Sequence, residues 1–210
     1  MDFDSLLFDL DGTLVDSLPD LTTAINLLRK DLGLEDLTIA QVRNYVGDGA
    51  TALVQRALPD GTFTGEHLAA FLDYYAQHLS ADSAPYPGIP ELLAQLRHIP
   101  LAVVTNKPVA MARQLLEDLD LARHFRLVLG GDSCATKKPH PEPLQQALDE
   151  LGARTERSLM IGDHHTDLRA AAAAGIDAIF CCWGYGNNGG QNPRFVAETV
   201  ANLQRILIPA

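Results

Sequence analysis

Short hydrophobic runs recur along this chain, and each of them ends in polar or charged residues. Four such runs are Ser5–Phe8, Leu101–Val104, Leu127–Leu129 and Ser158–Ile161, and each precedes a segment with helical spacing. This alternation is typical of a parallel α/β sheet, in which functional groups gather at the carboxyl ends of the strands. The pattern predicts an α/β fold with one site at those ends.

A long segment without a strand pattern separates the first two runs. Its hydrophobic residues recur at helical spacing in groups that begin with Leu18, with Val42, Tyr45 and Val46, with Leu53 and with Leu68. A polar linker that ends at Pro85 leads into an amphipathic helix predicted over Ile89–Leu96. We therefore predict a helical domain formed by residues 16–81, inserted into a core formed by residues 1–15 and 82–210.

The segment Asp9-Leu10-Asp11-Gly12-Thr13 follows the first run directly. Carboxylates at the edge of a hydrophobic core are costly to desolvate, and a magnesium ion offsets that cost while it leaves one oxygen free as a nucleophile. Taken alone, the segment also fits an ordinary turn, because Asp and Gly are common turn residues. A calcium-binding EF-hand loop fits less well, because glycine is fourth here rather than sixth.

Polar residues also follow the other predicted strands. Thr105 comes after the second run, Lys138 lies in the connection after the third, and Asp163 and Asp167 come after the fourth. Each has a simpler interpretation in isolation: Thr105 as a helix N-cap, Lys138 as a solvated loop lysine, Asp163 as a turn residue. Together, at successive strand ends, they indicate one shared site.

These motifs, in this order, resemble those of the haloacid dehalogenase superfamily of phosphatases. The resemblance spans the chain and rests on Asp9–Ser17, Thr105, Lys138 within Lys-Pro-His-Pro, and Gly162–Asp167. It implies a Rossmann-like parallel sheet core with an inserted helical cap domain. It also implies a magnesium-dependent phosphoric monoester hydrolase that works through an aspartyl-phosphate intermediate.

The resemblance implies a role for each acidic residue. Asp9 is expected to be the nucleophile and a magnesium ligand, and Asp163 to complete the ligand set. Asp11 is expected to be the general acid and base, with its carboxylate turned away from the metal and its backbone carbonyl facing it. Asp167, one helical turn after Asp163, fits a supporting role that orients Lys138 or a metal-bound water.

Positive charge is needed locally, because the net charge of −11 repels phosphate esters at long range. The resemblance implies that Thr105 and Lys138 hold the phosphoryl oxygens, with Asn106 as a further substrate-binding residue. Lys107 is a second candidate cation.

Within the superfamily, four stretches are similar to the bacterial phosphoglycolate phosphatases, a group that turns 2-phosphoglycolate into glycolate and phosphate. They cover residues 45–49, 85–88, 105–107 and 137–144. Alternatives are a phosphatase or phosphomutase for a sugar phosphate or nucleotide on the same fold, and a non-catalytic binding module. The presence of both a nucleophile and an acid argues against the last of these.

A substrate that carries a carboxylate needs a cation or backbone donors in the cap. The turn formed by Gly47, Asp48 and Gly49 is the favoured candidate, because glycine lets backbone N–H groups approach a ligand. Arg43 and Arg56 are weaker candidates, since both are expected to be solvated at the surface.

One feature departs from the pattern, because His164 and His165 follow Asp163 where a small residue is usual. The sequence Asp-His-His resembles the signature of the DHH phosphoesterases. That interpretation lacks further upstream metal motifs and leaves Asp9–Thr13 unexplained. We therefore expect His164 at the edge of the site, and His165 facing solvent or capping a helix.

Composition supports a compact enzyme of 210 residues with 47% hydrophobic content. Nucleic acid is not an expected partner, because no basic patch is present to neutralise backbone phosphates. No stretch approaches the roughly 20 apolar residues of a membrane span, so we expect a cytoplasmic protein, either monomer or homodimer. Cys134 in a loop, and Cys181 and Cys182 on a strand, are expected to be free thiols.

Overall fold

The computed structural model describes residues 3–208, and its centre is a parallel sheet of six strands. Their order across the sheet is β5-β4-β1-β6-β7-β8. The strands are β1 (Ser5–Phe8), β4 (Leu101–Val104), β5 (Leu127–Leu129), β6 (Ser158–Gly162), β7 (Asp177–Cys181) and β8 (Phe195–Ala197). The four strands predicted from the hydrophobic runs are confirmed, and so is the α/β fold class.

Helices cover both faces of this sheet. Alternate residues of β1 point in opposite directions, so that Leu6 and Phe8 join one hydrophobic cluster and Leu7 joins another. The first cluster includes residues of α5 (Ile89–Gln95), α6 (Val109–Asp118) and α9 (Val200–Leu207), and the second includes residues of α7 (Glu142–Leu151) and α8 (His165–Ala174). Burial on both faces explains why these strands are hydrophobic throughout rather than alternating.

Four more helices lie between β1 and α5. They are α1 (Leu18–Asp31), α2 (Ile39–Arg43), α3 (Ala50–Ala57) and α4 (Gly65–Gln77). The helix α1 packs on α2 and α4, and α3 packs on α4. The absence of longer strands in this part of the sequence is confirmed, while its assignment to a separate domain stays a prediction.

The sequence pattern missed a short antiparallel ribbon where the chain enters and leaves these helices. It pairs β2 (Val15–Asp16) with β3 (Ala84–Pro85). The buried carboxylate of Asp20, at the start of α1, accepts hydrogen bonds from the backbone N–H groups of Asp82 and Ser83 and from the Ser83 hydroxyl. The two chain segments that connect the inserted helices to the core are thereby bonded to each other.

One prediction of local structure was wrong. Helix α2 ends at Arg43, so Tyr45 and Val46 lie in the loop beyond it, although both still pack on the hydrophobic core. The alternative interpretation of Thr105 as a helix N-cap is excluded, because helix α6 begins at Val109. Cys181 ends β7 as predicted, while Cys182 lies just after the strand. Within residues 3–208, no helix has both the length and the apolar composition needed to cross a membrane.

Candidate active site

The predicted site residues meet at the carboxyl ends of three neighbouring strands. Asp9 follows β1, Thr105 follows β4 and Asp163 follows β6, and β1 lies between the other two in the sheet. The backbone N–H of Asp9 donates to Ile161 O at 2.9 Å, and that of Thr105 donates to Leu129 O at 2.9 Å. Strand pairing therefore continues to the first site residues and fixes where they lie.

Three carboxylates form a buried cluster at these strand ends. Asp9, Asp163 and Asp167 each place an oxygen within 4.8 Å of the others. Burial raises the pKa of Asp9 to about 6, although Lys138 counteracts it. Burial also raises the pKa of Asp163 to about 7, and the negative charges of Asp9 and Asp167 add to the rise. Such crowding of buried carboxylates is what a hard divalent cation relieves.

Lys138 neutralises part of this cluster. Its side chain is buried, and its Nζ lies 3.0 Å from Asp9 Oδ1 and 2.6 Å from Asp167 Oδ1, and donates to Val104 O at 2.6 Å. Burial lowers the pKa of Lys138, but the two carboxylates outweigh that effect, so its pKa is raised and the amine stays charged. One lysine thus faces three carboxylates, and a negative charge remains for another cation.

The carboxylates of Asp163 and Asp167 differ in their partners. Asp167 is paired with Lys138, and its other oxygen accepts the backbone N–H of His164 at 3.0 Å. Asp163 accepts only neutral donors: the Thr13 hydroxyl at 2.9 Å and the backbone N–H groups of Tyr185 and Gly186 at 2.8 and 3.1 Å. Within residues 3–208, no side-chain cation pairs with Asp163, so this carboxylate is the one open to a metal ion, while Asp167 holds Lys138 in place.

Asp11 lies apart from the cluster. Its Oδ1 accepts hydrogen bonds from the Ser17 hydroxyl at 2.6 Å and from Lys107 Nζ at 2.9 Å. Lys107 is buried, hydrogen-bonds to the Tyr75 hydroxyl of α4, and lies 4.4 Å from the centre of the Tyr75 ring. This contact of Tyr75 could not be predicted from the sequence, because its helical spacing made it indistinguishable from a core residue.

A pocket opens above the strand ends, between them and the inserted helices. Its hydrophobic wall comes from the insert and its polar floor from the core. The residues that line it include Leu53, Phe71, Leu72 and Tyr75 from the insert and Asp9, Asp11, Thr105, Asn106 and Lys107 from the core. The arrangement suits a small ligand with one charged end.

The glycine turn of the insert closes one side of this pocket. Asn106 Nδ2 donates to Gly47 O at 3.0 Å and to Lys138 O at 2.9 Å, while its buried Oδ1 has no partner within residues 3–208. Gly49 has a positive φ of 91°, and a Cβ there would lie 2.9 Å from Lys137 Nζ. Only glycine fits this approach without strain.

Neither arginine proposed for the cap lines the pocket. Arg43 donates to Gly184 O, and Arg56 donates to Tyr45 O at 3.0 Å and pairs with Asp48 Oδ2 at 2.5 Å. Asp48 thus points away from the pocket, toward Arg56.

The two histidines take different positions at the start of α8. His164 caps the helix, with its Nδ1 3.1 Å from Thr166 Oγ1, so the capping role falls to His164 rather than to His165. Burial lowers the pKa of His164 to about 4, and the charge of His165 adds to the effect. His165 is partly exposed and its ring centre lies 4.1 Å from that of His164.

Comparison with known proteins adds the family context. The sequence model of the family described as haloacid dehalogenase-like hydrolase matches residues 6–181. The chain is 42% identical to a phosphoglycolate phosphatase of Neisseria meningitidis, covering 87% of this chain and 82% of that protein. It is 36% identical to one of Aquifex aeolicus, covering 96% and 95%. A crystal structure of a predicted phosphoglycolate phosphatase from Haemophilus somnus superposes with a TM-score of 0.91 at 32% identity, covering 99% of both chains.

Proposed function

This chain belongs to the haloacid dehalogenase-like hydrolases, and we propose that it is a magnesium-dependent phosphatase that hydrolyses 2-phosphoglycolate to glycolate and phosphate. The observation that carries the proposal is that two carboxylates at the strand ends, Asp9 and Asp11, have different surroundings. Asp9 lies in a buried cluster with more negative than positive charge, while Asp11 lies outside that cluster in a hydrogen-bonded pair with a lysine. A nucleophile and a separate acid are what phosphate monoester hydrolysis requires.

Asp9 is the proposed nucleophile. Its carboxylate is almost buried and one oxygen is held by Lys138, which leaves the other to attack phosphorus in line and form an aspartyl-phosphate. The donor set fits a hard cation, because Asp9, Asp163 and the Asp11 carbonyl supply only oxygen ligands. When bound, the magnesium ion supplies positive charge that stabilises the phosphoryl group and its developing charge.

Asp11 is the proposed general acid and base. In the first half of the reaction it donates a proton to the glycolate oxygen as that group leaves, and in the second it accepts one from the water that hydrolyses the aspartyl-phosphate. Ser17 and Lys107 hold its carboxylate by the hydrogen bonds described above. Lys107 is thus a positioning residue for Asp11.

Thr105 and Lys138 are the proposed ligands of the phosphoryl oxygens. Thr105 is buried at the end of β4, and Lys138 carries a permanent charge next to the nucleophile. Lys138 therefore reduces the repulsion between the Asp9 carboxylate and an approaching phosphate. Asp167 fixes the position of Lys138 through their 2.6 Å ion pair.

Residues 16–81 are the proposed cap that selects the substrate. The cap supplies the Gly47–Gly49 turn and the hydrophobic wall of the pocket, and Asn106 joins that turn to the core. Gly47, Gly49 and Asn106 are the proposed contacts of the substrate carboxylate. Opening of the cap for product release and its closure to exclude water would gate turnover.

The proposal is tested by turnover of purified protein on a panel of phosphate monoesters. We expect 2-phosphoglycolate to give the highest kcat/KM, EDTA to abolish activity, and magnesium to restore it far better than calcium, whose larger coordination shell misplaces the in-line geometry. Asp9→Asn should lose at least about a thousandfold in kcat. Asp132→Asn is the matched control, because Asp132 also follows a strand but is exposed and bonds to Val109 N.

Two results would contradict the proposal. If a sugar phosphate or a nucleotide gave the highest kcat/KM, the alternative function, a phosphatase or phosphomutase for such a substrate, would replace the proposed one. Turnover of Asp9→Asn above about a tenth of wild type would remove Asp9 as nucleophile. We further propose a cytoplasmic enzyme that acts without nucleic acid or membrane, as a monomer or homodimer, which size-exclusion chromatography with light scattering would decide.

A further inference from the structure

A second group of metal-ligating side chains lies beside the active site. Asp48, His164 and His165 each place one ligand atom within 4.8 Å of the others. None of the three belongs to the carboxylate cluster of Asp9, Asp163 and Asp167. The group is shared between two parts of the fold, because Asp48 comes from the glycine turn and the histidines come from the start of α8.

We propose that Asp48, His164 and His165 bind a transition-metal dication of the zinc type, and that this ion ties the glycine turn to the core. Two imidazole nitrogens and one carboxylate oxygen form a donor set that suits Zn²⁺, Co²⁺ or Ni²⁺. Mg²⁺ prefers oxygen ligands alone, so the same set discriminates against the ion proposed for the active site. Water would complete the coordination.

The orientation of His164 supports this site. Its Nδ1 is engaged by Thr166, with Oγ1 at 3.1 Å, so Nε2 is the nitrogen left for a metal. The glycine turn lies against the face of this ring, since a Cβ placed on Gly47 would lie 2.7 Å from both Nε2 and Cδ2. A ring held by one nitrogen with the other presented to a ligand is the usual arrangement of metal-binding histidine.

The other two ligands can reach the positions that an ion requires. Zinc–ligand distances of about 2.0–2.2 Å place tetrahedral ligand atoms roughly 3.4 Å apart. The ligand atoms lie within 4.8 Å of one another, so each pair must approach by at most about 1.4 Å. Asp48 and His165 are partly exposed, which allows their side chains to move. Asp48 Oδ2 is paired with Arg56, and within residues 3–208 no hydrogen bond engages its Oδ1.

Arg56 gives the site an internal competitor. Its guanidinium contacts the same carboxylate that the ion would use, at 2.5 Å. Removal of the Asp48 carboxylate should therefore weaken metal binding, whereas removal of the Arg56 charge should strengthen it. Opposite effects from two residues in contact are not expected of non-specific binding to an acidic surface.

Binding should hold the turn against the end of β6 and so slow turnover. This consequence rests on the proposed function, because it requires the cap to open for product release. Metal binding itself does not depend on the proposed function. A protein that binds zinc but shows no phosphatase activity would therefore leave this site in place and overturn only the function.

The test is calorimetric titration of the protein with Zn²⁺ in saturating Mg²⁺, which keeps the active-site carboxylates occupied. We expect one equivalent of Zn²⁺ to bind to the wild type and, with similar affinity, to Asp9→Asn. Affinity should fall at least tenfold in Asp48→Asn and in His165→Gln, and should rise in Arg56→Met. His98→Gln is the matched control, because His98 is exposed and outside the group.

Free thiols could also bind zinc, so the titration is repeated on Cys134→Ser/Cys182→Ser. Retention of the one-equivalent site in this double variant is expected, and its loss would assign the binding to the thiols and overturn the proposal. Unchanged affinity in both Asp48→Asn and His165→Gln would also overturn it, as would the absence of any binding to the wild type. Circular dichroism confirms that each variant is folded before titration.

Discussion

Replacement of Asp9, the proposed nucleophile, should make the metal-free protein more stable. Asp9→Asn keeps the shape of the side chain but removes one of the three negative charges in the buried cluster. An ionised carboxylate whose folded pKa is raised destabilises the folded state, because the unfolded chain ionises it at less cost. The neutral amide resembles the protonated acid and avoids that penalty.

The magnitude follows from the pKa of Asp9, which is about 6 in the fold against an ordinary 3.8. At about 1.4 kcal/mol per pKa unit, ionised Asp9 destabilises the metal-free fold by about 3 kcal/mol. Between those two values the folded state binds more protons than the unfolded state, so the free energy of unfolding falls as the pH rises. The advantage of Asp9→Asn should thus be absent below pH 4 and grow up to about pH 6 as Asp9 ionises. It should grow further up to about pH 7 as Asp163 ionises, because the charge of Asp9 also raises the pKa of Asp163.

The assay is urea denaturation of both proteins in EDTA at a series of pH values. His164 contributes with the opposite sign, since its lowered pKa of about 4 makes the wild type more stable as the pH rises. Most of that effect is common to both proteins and cancels in their difference, because burial and His165 are the main causes of the shift and the charge of Asp9 opposes it only in part. A variant equal to or less stable than the wild type at pH 8, in metal-free buffer, would refute the reasoning. Saturating Mg²⁺ should reduce or reverse the difference, because it binds the ionised wild type better.

Three further predictions concern the insert and the pocket. Asp20→Ala leaves the buried donors of Ser83 unpaired and should lower the free energy of unfolding, measured by urea denaturation, by about 2–3 kcal/mol. Asp20→Asn keeps an acceptor oxygen and should therefore cause a smaller loss. Lys107→Met should lower kcat for 2-phosphoglycolate at least tenfold and kcat for p-nitrophenyl phosphate much less, because the aryl leaving group hardly needs a proton from Asp11. Equal losses on both substrates would mean that Lys107 has no part in acid catalysis. Gly49→Val should reduce kcat/KM for 2-phosphoglycolate more than kcat/KM for p-nitrophenyl phosphate in steady-state assays of folded protein. Equal losses on both substrates would mean that the turn maintains the fold but does not contact the substrate.

The positions of the core site residues could be predicted because each immediately follows a strand or lies in a loop that the strand order fixes. In a parallel sheet, the end of a strand determines where its next residue points, so Asp9, Thr105 and Asp163 were brought together by the hydrophobic pattern alone. The family resemblance implied that Asp167, one helical turn after Asp163, orients Lys138 or a metal-bound water, and the structure shows its ion pair with Lys138.

Contacts between distant parts of the chain left no local signal. Tyr185 accepts hydrogen bonds from Ser17 N and Leu18 N and donates to Asp16, so it holds the exit from β2 from a position 169 residues away. Tyr75 looks like any other apolar residue on a helix until the fold places it against Lys107. The β2–β3 ribbon has two residues per strand, too few for a periodic pattern.

The charges around the pocket explain why a protein with a net charge of −11 can attract a phosphate ester. In the part of the chain that the structure describes, Asp9, Asp11, Asp163 and Asp167 face two buried cations, Lys107 and Lys138. When all six are ionised the site carries two excess negative charges, which a single divalent cation neutralises. Burial is the main cause of the raised pKa values of Asp9 and Asp163, and for Asp163 the charges of Asp9 and Asp167 add to it. The burial and charge repulsion that lower the stability of the metal-free protein would therefore favour binding of a cation, and the bound cation would in turn favour binding of phosphate.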